Sequence, residues 1–186
     1  MELLGVDAVE ARRVQKGFFH AHGMTLRGLM TEHGVDPHDF LAKVHDIDLS
    51  VVEHDAALVR ALAALPGRKL VFTNADLPYA ERVLARLGLE TAFEAIHDVH
   101  AMEYQPKPAA AAYAQLCAVH GIAPARAIFF EDMARNLAPA KAIGMTTVWI
   151  DNGSEQGPDV AGAFIDYRIA DLGAWLGGIV AALETA

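Results

Sequence analysis

Cysteine, long apolar runs and basic charge are all scarce in this chain. A single cysteine, Cys117, among 186 residues excludes an internal disulfide. Set in an apolar helical stretch, it reads as a small buried hydrophobe suited to a reducing cytoplasm. Fifteen Lys and Arg stand against 24 Asp and Glu, for a formal net charge of -9. A surface that tracks a nucleic-acid backbone needs clustered Lys and Arg, so nucleic acid is not an expected partner. No apolar run approaches the ~20 residues needed to span a bilayer, and no membrane partner is expected. The opening MELLGVDAVEARRVQ has neither the basic start nor the apolar centre of a signal peptide. These absences predict a soluble cytoplasmic protein. A domain of this length buries roughly 70% of its unfolded surface and needs no covalent staple.

What is present is a rhythm of helices and strands. Residues 7–21 carry Val14, Phe18 and Phe19 toward one side and predict a helix capped by Asp7. A second helix runs from Thr25 to His33 with Gly34 as its stop, and Asp36-Pro37 opens a third. Beyond His54 the pattern alternates. Helices are predicted at 55–65, 77–87, 108–120, 134–143 and 171–184, and strands at 69–73, 95–99, 127–131, 146–150 and 166–169. Asp76 is expected to cap the helix at 77–87, and Pro108 to sit in the first turn of its own. Strands alternating with helices of this length imply right-handed crossovers and a parallel sheet covered on both faces. The expected organisation is α/β: a helical segment over residues 1–54, then a Rossmann-like core over 55–186.

In an open parallel sheet, chemistry collects beyond the carboxyl ends of the strands. Strand 69–73 ends in Thr73-Asn74, strand 127–131 ends in Glu131-Asp132, and Lys107 lies between them, flanked by Pro106 and Pro108. Each has a plainer reading: a strand-end turn, a solvated lysine, a helix cap. Together, at one edge of one sheet, a hydroxyl, an ammonium and a carboxylate pair suit a phosphate and a hard divalent cation.

That order of residues resembles the haloacid dehalogenase superfamily. Thr73 in VFTN looks like its second motif, Lys107 in EYQPKP its third, and Glu131-Asp132 in FFEDMARN its fourth. The longer stretches LPGRKLVFTNAD and FFEDMARNLAPAKAIGMTTVWIDNG are similar to bacterial pyrimidine 5'-nucleotidases. The resemblance implies a phosphomonoester hydrolase working through an aspartyl-phosphate, with Mg²⁺ as cofactor and a small phosphorylated substrate, a nucleoside monophosphate. Thr73 and Asn74 would bind the phosphoryl group, and Lys107 would pair with phosphate and the nucleophile. Glu131 and Asp132 would hold the metal, while Asn136, one helical turn on, would orient Lys107. Residues 1–54 would be part of a helical cap.

The family's first motif, a strand ending in Asp-x-Asp-x-Thr or Ser, precedes its cap. No such strand is read ahead of residue 7, where Met1–Leu4 looks like the end of a helix stopped by Gly5. The expectation is therefore a chain that lacks the nucleophile strand and is inactive as it stands. His45-Asp46-Ile47-Asp48-Leu49-Ser50 contains Asp-x-Asp-x-Ser and makes Asp46 an alternative nucleophile, although residues 38–45 read as helix. By resemblance the first strand lies between strands 69–73 and 127–131, so its loss would leave two unpaired edges and promote self-association.

Six histidines, at 20, 22, 33, 38, 45 and 54, fall in the expected cap. His20 and His22 are too close along one helix to face one metal, and a polar cap face is the simpler reading. Two rival functions stand beside a nucleotidase. One is a noncatalytic protein that keeps the phosphate and metal groups. The other is a haloacid dehalogenase, whose metal-free displacement has little use for the two extra acids at 131 and 132.

Overall fold

Aspartates open most of the helices, as their short acceptors should. The computed structural model describes residues 5–22, 24–153 and 162–185, which leaves the expected helix end at 1–4 outside the described residues. It divides into two units, Met1–Asp48 and Leu49–Ala186.

The first unit holds α1 (Ala8–His22), α2 (Thr25–His33) and α3 (Pro37–Val44). Asp7 accepts from the N–H groups of Val9 and Glu10, both at 2.9 Å. Asp36 accepts from Asp39 N–H, with Pro37 in the first turn. Phe18 is the buried anchor of α1, and its ring centroid lies 5.9 Å from that of His22 and 5.7 Å from that of His33. Gly28 makes this packing possible, because a Cβ there would sit 2.4 Å from Phe18 Cγ.

The second unit runs α4 (Ala56–Ala64), β1 (Leu70–Phe72), α5 (Leu77–Leu87), β2 (Ala95–His97), α6 (Ala110–His120), β3 (Ile128–Glu131), α7 (Leu137–Ala142), β4 (Thr146–Ile150), β5 (Tyr167–Ile169) and α8 (Leu172–Glu184). Residues 49–54, read with the helical segment in the sequence, lie in this unit. Arg86 of α5 ties them down by donating to the carbonyls of Leu49, Ser50 and Val52 at 3.1–3.2 Å.

All described strand pairs are parallel, as the alternating pattern predicts. Phe129 and Phe130, successive on β3, point to opposite faces. Tyr113 of α6 meets Phe129 edge-on at 5.9 Å, and Trp175 of α8 meets Phe130 at 5.5 Å. Helices thus cover both sides, and the apolar strands are buried from two directions.

Three local expectations are corrected. Asp76 stands at the N-cap position of α5 but makes no capping bond with its side chain; Asp98 of the neighbouring loop accepts from Leu77 N–H instead, at 2.9 Å. Pro108 precedes α6 rather than opening it, because Pro106–Ala109 closes as a turn through Ala109 N–H to Pro106 C=O at 2.9 Å. The helix read at 134–143 begins as a 3-10 turn over Ala134–Asn136 before α7. Pro139 has no N–H for the carbonyl four residues back, so the opening closes by tighter bonds, Leu137 N–H reaching Ala134 C=O.

The parallel strands form two sheets, β1-β2 and β3-β4-β5. The Lys69 carbonyl accepts from Glu94 N–H just before β2 and the Thr73 N–H donates to His97 C=O of β2, so the alternate residues Leu70 and Phe72 turn their backbone groups to the other edge. On β3 the Ala127 carbonyl bonds to Thr146 at the start of β4, so Ile128 and Phe130 likewise face outward from their sheet. Phe72 and Phe129 are 5.9 Å apart by ring centroid, so side chains meet across the interval. No described ladder joins β1 to β3.

Candidate active site

Lys107 sits at that interval. Its ammonium donates to Phe72 C=O at 2.8 Å and to Glu131 Oε2 at 2.6 Å. Both side chains are buried, at 9% and 6% exposure. Thus the ammonium occupies an outward carbonyl of β1 and the terminal side chain of β3 together. It also lies 5.1 Å from the centre of the Phe72 ring and 5.5 Å from that of Phe129, within cation–π reach of both.

Glu131 is held at its other oxygen by Met133 N–H at 3.1 Å. Burial pushes its carboxyl above the ordinary carboxylate range. The Lys107 ammonium opposes that rise, and a hydrogen bond with the Asp132 carboxyl adds to it. Asp132, half-buried, is fixed through its backbone, whose carbonyl accepts from Trp149 Nε1–H at 2.9 Å. Tyr113, fully buried, donates its hydroxyl proton to Asn136 C=O at 2.6 Å. Desolvation, with the Glu131 charge behind it, lifts the Tyr113 hydroxyl far above its usual value, so it stays protonated.

Thr73 closes the β1 ladder through its N–H on His97 C=O, while its Oγ1 accepts from Ala75 N–H at 3.0 Å. Asn74 spends its side chain on Lys107: Oδ1 accepts from Lys107 N–H at 2.9 Å and Nδ2 donates to Lys107 C=O at 3.1 Å. The structure therefore brings Asn74, Lys107 and Glu131 into one bonded chain beside Thr73 and Asp132. Asn136 is buried and follows on the 3-10 turn, but its Oδ1 has no partner in the structure. Asp46 is exposed, in the irregular stretch after α3, where residues 45–50 form no strand.

Sequence reasoning did not single out the Phe72 carbonyl or Tyr113. Strand alternation marks the first, since residues of one parity must face away from β2. Nothing in an apolar helix marks Tyr113 as the donor to Asn136.

For a divalent cation the donor chemistry fits: carboxylate oxygens of Asp132 and Glu131 and the unpartnered amide oxygen of Asn136 are hard ligands. Among the described residues no three His, Cys, Asp or Glu side chains converge as a preformed cluster. No described helix is long and apolar enough to cross a membrane.

A family model described as haloacid dehalogenase-like hydrolase matches residues 9–144. Among solved structures, a HAD phosphatase from Thermococcus onnurineus aligns with a TM-score of 0.60 at 18% identity, over 97% of this chain and 82% of that one. The L-2-haloacid dehalogenase of Xanthobacter autotrophicus aligns with a TM-score of 0.54 at 19% identity, over 68% of this chain and 59% of its own. A haloacid dehalogenase-like family protein from Streptococcus pneumoniae aligns at 0.54 and 18% identity, over 69% and 59%. At these identities the likeness is one of fold. The chain spans 59% of the length of that Xanthobacter structure and 55% of another L-2-haloacid dehalogenase, less than two thirds of each.

Proposed function

The chain belongs to the haloacid dehalogenase-like hydrolase family, and from that premise we propose a Mg²⁺-dependent phosphomonoester hydrolase of the pyrimidine 5'-nucleotidase kind. The observation that carries this reading is the buried Lys107–Glu131 pair, with Asp132 adjoining, at the carboxyl ends of β1 and β3. A buried ammonium beside two adjacent acids is suited to a polyanionic group and a cation, and a metal-free displacement at carbon has little use for the two acids.

In this reading Thr73 Oγ1, fixed by Ala75 N–H, donates a hydrogen bond to a phosphoryl oxygen. The Lys107 ammonium has three protons, and two are committed to Phe72 C=O and Glu131. The third serves the phosphoryl group. Mg²⁺ supplies charge neutralisation when held by Asp132 with Glu131 assisting. The attacking aspartate comes from an Asp-x-Asp strand seated between β1 and β3, where the outward backbone groups of Leu70, Phe72, Ile128 and Phe130 are placed to pair with it. Its carboxylate oxygen bonds to phosphorus as the ester P–O bond breaks, the second aspartate protonates the departing nucleoside oxygen, and water then hydrolyses the acyl phosphate. The cap role of residues 1–54 and a cytoplasmic site of action belong to this proposal too.

Phosphate release from uridine monophosphate with Mg²⁺ tests it, on the 186-residue chain and on one preceded by an Asp-x-Asp strand. Release only from the extended chain supports the proposal. Phosphate binding without release from either favours a binding protein, and release from the unextended chain makes Asp46 the residue to replace. Halide release from a 2-haloacid without metal overturns the phosphatase reading.

A further inference from the structure

We propose that Asn74 is a positioning residue for Lys107, acting on its main chain and not on substrate. Three contacts tie residue 107 to two residues at and just beyond the end of β1, Phe72 and Asn74. Asn74 Oδ1 takes the Lys107 N–H at 2.9 Å, and Asn74 Nδ2 gives a proton to the Lys107 carbonyl at 3.1 Å. The Lys107 ammonium reaches back to Phe72 C=O at 2.8 Å. A carboxamide is the one side-chain group that offers a donor and an acceptor side by side, so it pairs with a residue's N–H and C=O as a neighbouring strand would.

The pairing has an electrostatic purpose. Lys107 is a flexible side chain whose charge is costly to bury without fixed partners. It leaves a turn over Pro106–Ala109 rather than a strand or helix, so no regular ladder holds its backbone. Asn74 replaces that ladder. With the main chain fixed at both polar groups, the side chain extends along the edge of β1 to Phe72 C=O and Glu131 Oε2. An Asn74 that turned to a substrate oxygen would leave a Lys107 backbone group unpaired.

The catalytic meaning of this clamp rests on the phosphatase reading, but its test does not need turnover. Competitive acylation with trace anhydride, read by mass spectrometry, reports the reactivity of each lysine in the folded chain. Lys107, clamped and buried, is expected to label at least tenfold more slowly than Lys16 and Lys43. Asn74→Ala should raise Lys107 labelling about tenfold and leave Lys16, Lys43 and Lys141 unchanged. Asn74→Asp keeps the acceptor for Lys107 N–H and loses the donor, and should give a smaller selective rise. Lys107 labelling that stays at the wild-type rate in a folded Asn74→Asp or Asn74→Ala protein overturns the clamp. If Asn74→Ala raises every lysine together it has unfolded, and the Asp variant alone decides. Binding of inorganic phosphate with Mg²⁺, measured alongside by calorimetry, separates the two proposals. No phosphate binding by the chain preceded by an Asp-x-Asp strand, with selective labelling changes, removes the phosphatase reading and keeps the clamp.

Discussion

Lys107 Nζ and Glu131 Oε2 stand 2.6 Å apart with both side chains almost wholly out of solvent. The pair joins residues from a turn and a strand end, 24 positions apart in the chain, and bridges the β1 and β3 edges, which share no described ladder. Its energetics are those of a buried ion pair: desolvation offsets much of the attraction, while removal of one partner leaves an uncompensated charge.

Lys107→Met and Glu131→Met should each therefore lower stability by about 3–5 kcal/mol. The double substitution should cost less than either, because it leaves no charge buried alone. Urea unfolding of the four proteins, with the slopes compared for two-state behaviour, measures the coupling. Additive losses in the double variant would show that the pair is not energetically coupled.

A second buried site sets an acid limit. His97 Nδ1 lies 3.2 Å from His120 Nε2, and His97 Nε2 is buried without a partner. Burial holds the His97 pKa below its ordinary 6.5, the nearby His120 adds to this, and Asp98 opposes it. A histidine with a depressed folded pKa stays neutral in the fold while the unfolded chain takes up a proton. Its contribution to stability is thus whole above pH 6.5 and declines as pH falls from there toward the folded value. His97→Phe keeps an aromatic ring beside Phe72 and removes the titration. The difference in urea midpoint between pH 7.5 and pH 5 should shrink in this variant; an unchanged difference would place the acid limit elsewhere.

Helix and strand placement was readable because caps and breakers do local work. Gly34 ends α2 in the left-handed conformation, with φ 60°, and Asp55 and Asp171 cap α4 and α8 through their side chains. The bounds of α2 and β4 agree with the sequence reading residue for residue. What stayed hidden depends on partners distant in sequence. Asp98, not Asp76, satisfies the start of α5, since the loop after β2 returns beside it. The ends of β1 and β3 marked Thr73, Asn74, Glu131 and Asp132 as a group, and Lys107 does join them. That Asn74 faces the Lys107 backbone follows only from the path of the 98–106 loop, which no local pattern encodes.

That loop contains two neighbouring residues in left-handed backbone, Glu103 with φ 51° and Tyr104 with φ 57°. An L-residue with a Cβ pays roughly 1–2 kcal/mol there. Glycine would remove this strain while adding about 0.5–1 kcal/mol of unfolded-state entropy. Glu103 is exposed, so Glu103→Gly loses no packing. Its expected effect is a gain of about 0.5–1 kcal/mol in urea unfolding. A loss would mean that the Glu103 side chain holds the loop.

The last prediction concerns the first unit. The Gly28 backbone approaches Phe18 so closely that a Cβ would meet its Cβ and the ring atoms Cγ and Cδ1 at 2.4–2.7 Å. No real Cβ contact is so short, and Phe18 is itself buried between the His22 and His33 rings. Gly28→Ala gains helix propensity, about 1 kcal/mol, yet must displace Phe18 or separate α1 from α2, which costs about 1–3 kcal/mol or more. The clash outweighs the propensity. Hydrogen exchange should show faster amides in α1 and α2 of Gly28→Ala, and adding Phe18→Leu should restore part of the protection by shortening the side chain that collides. Unchanged or slower exchange in Gly28→Ala would mean that the Phe18 ring moves aside freely and that the close approach contributes nothing to the packing of this unit.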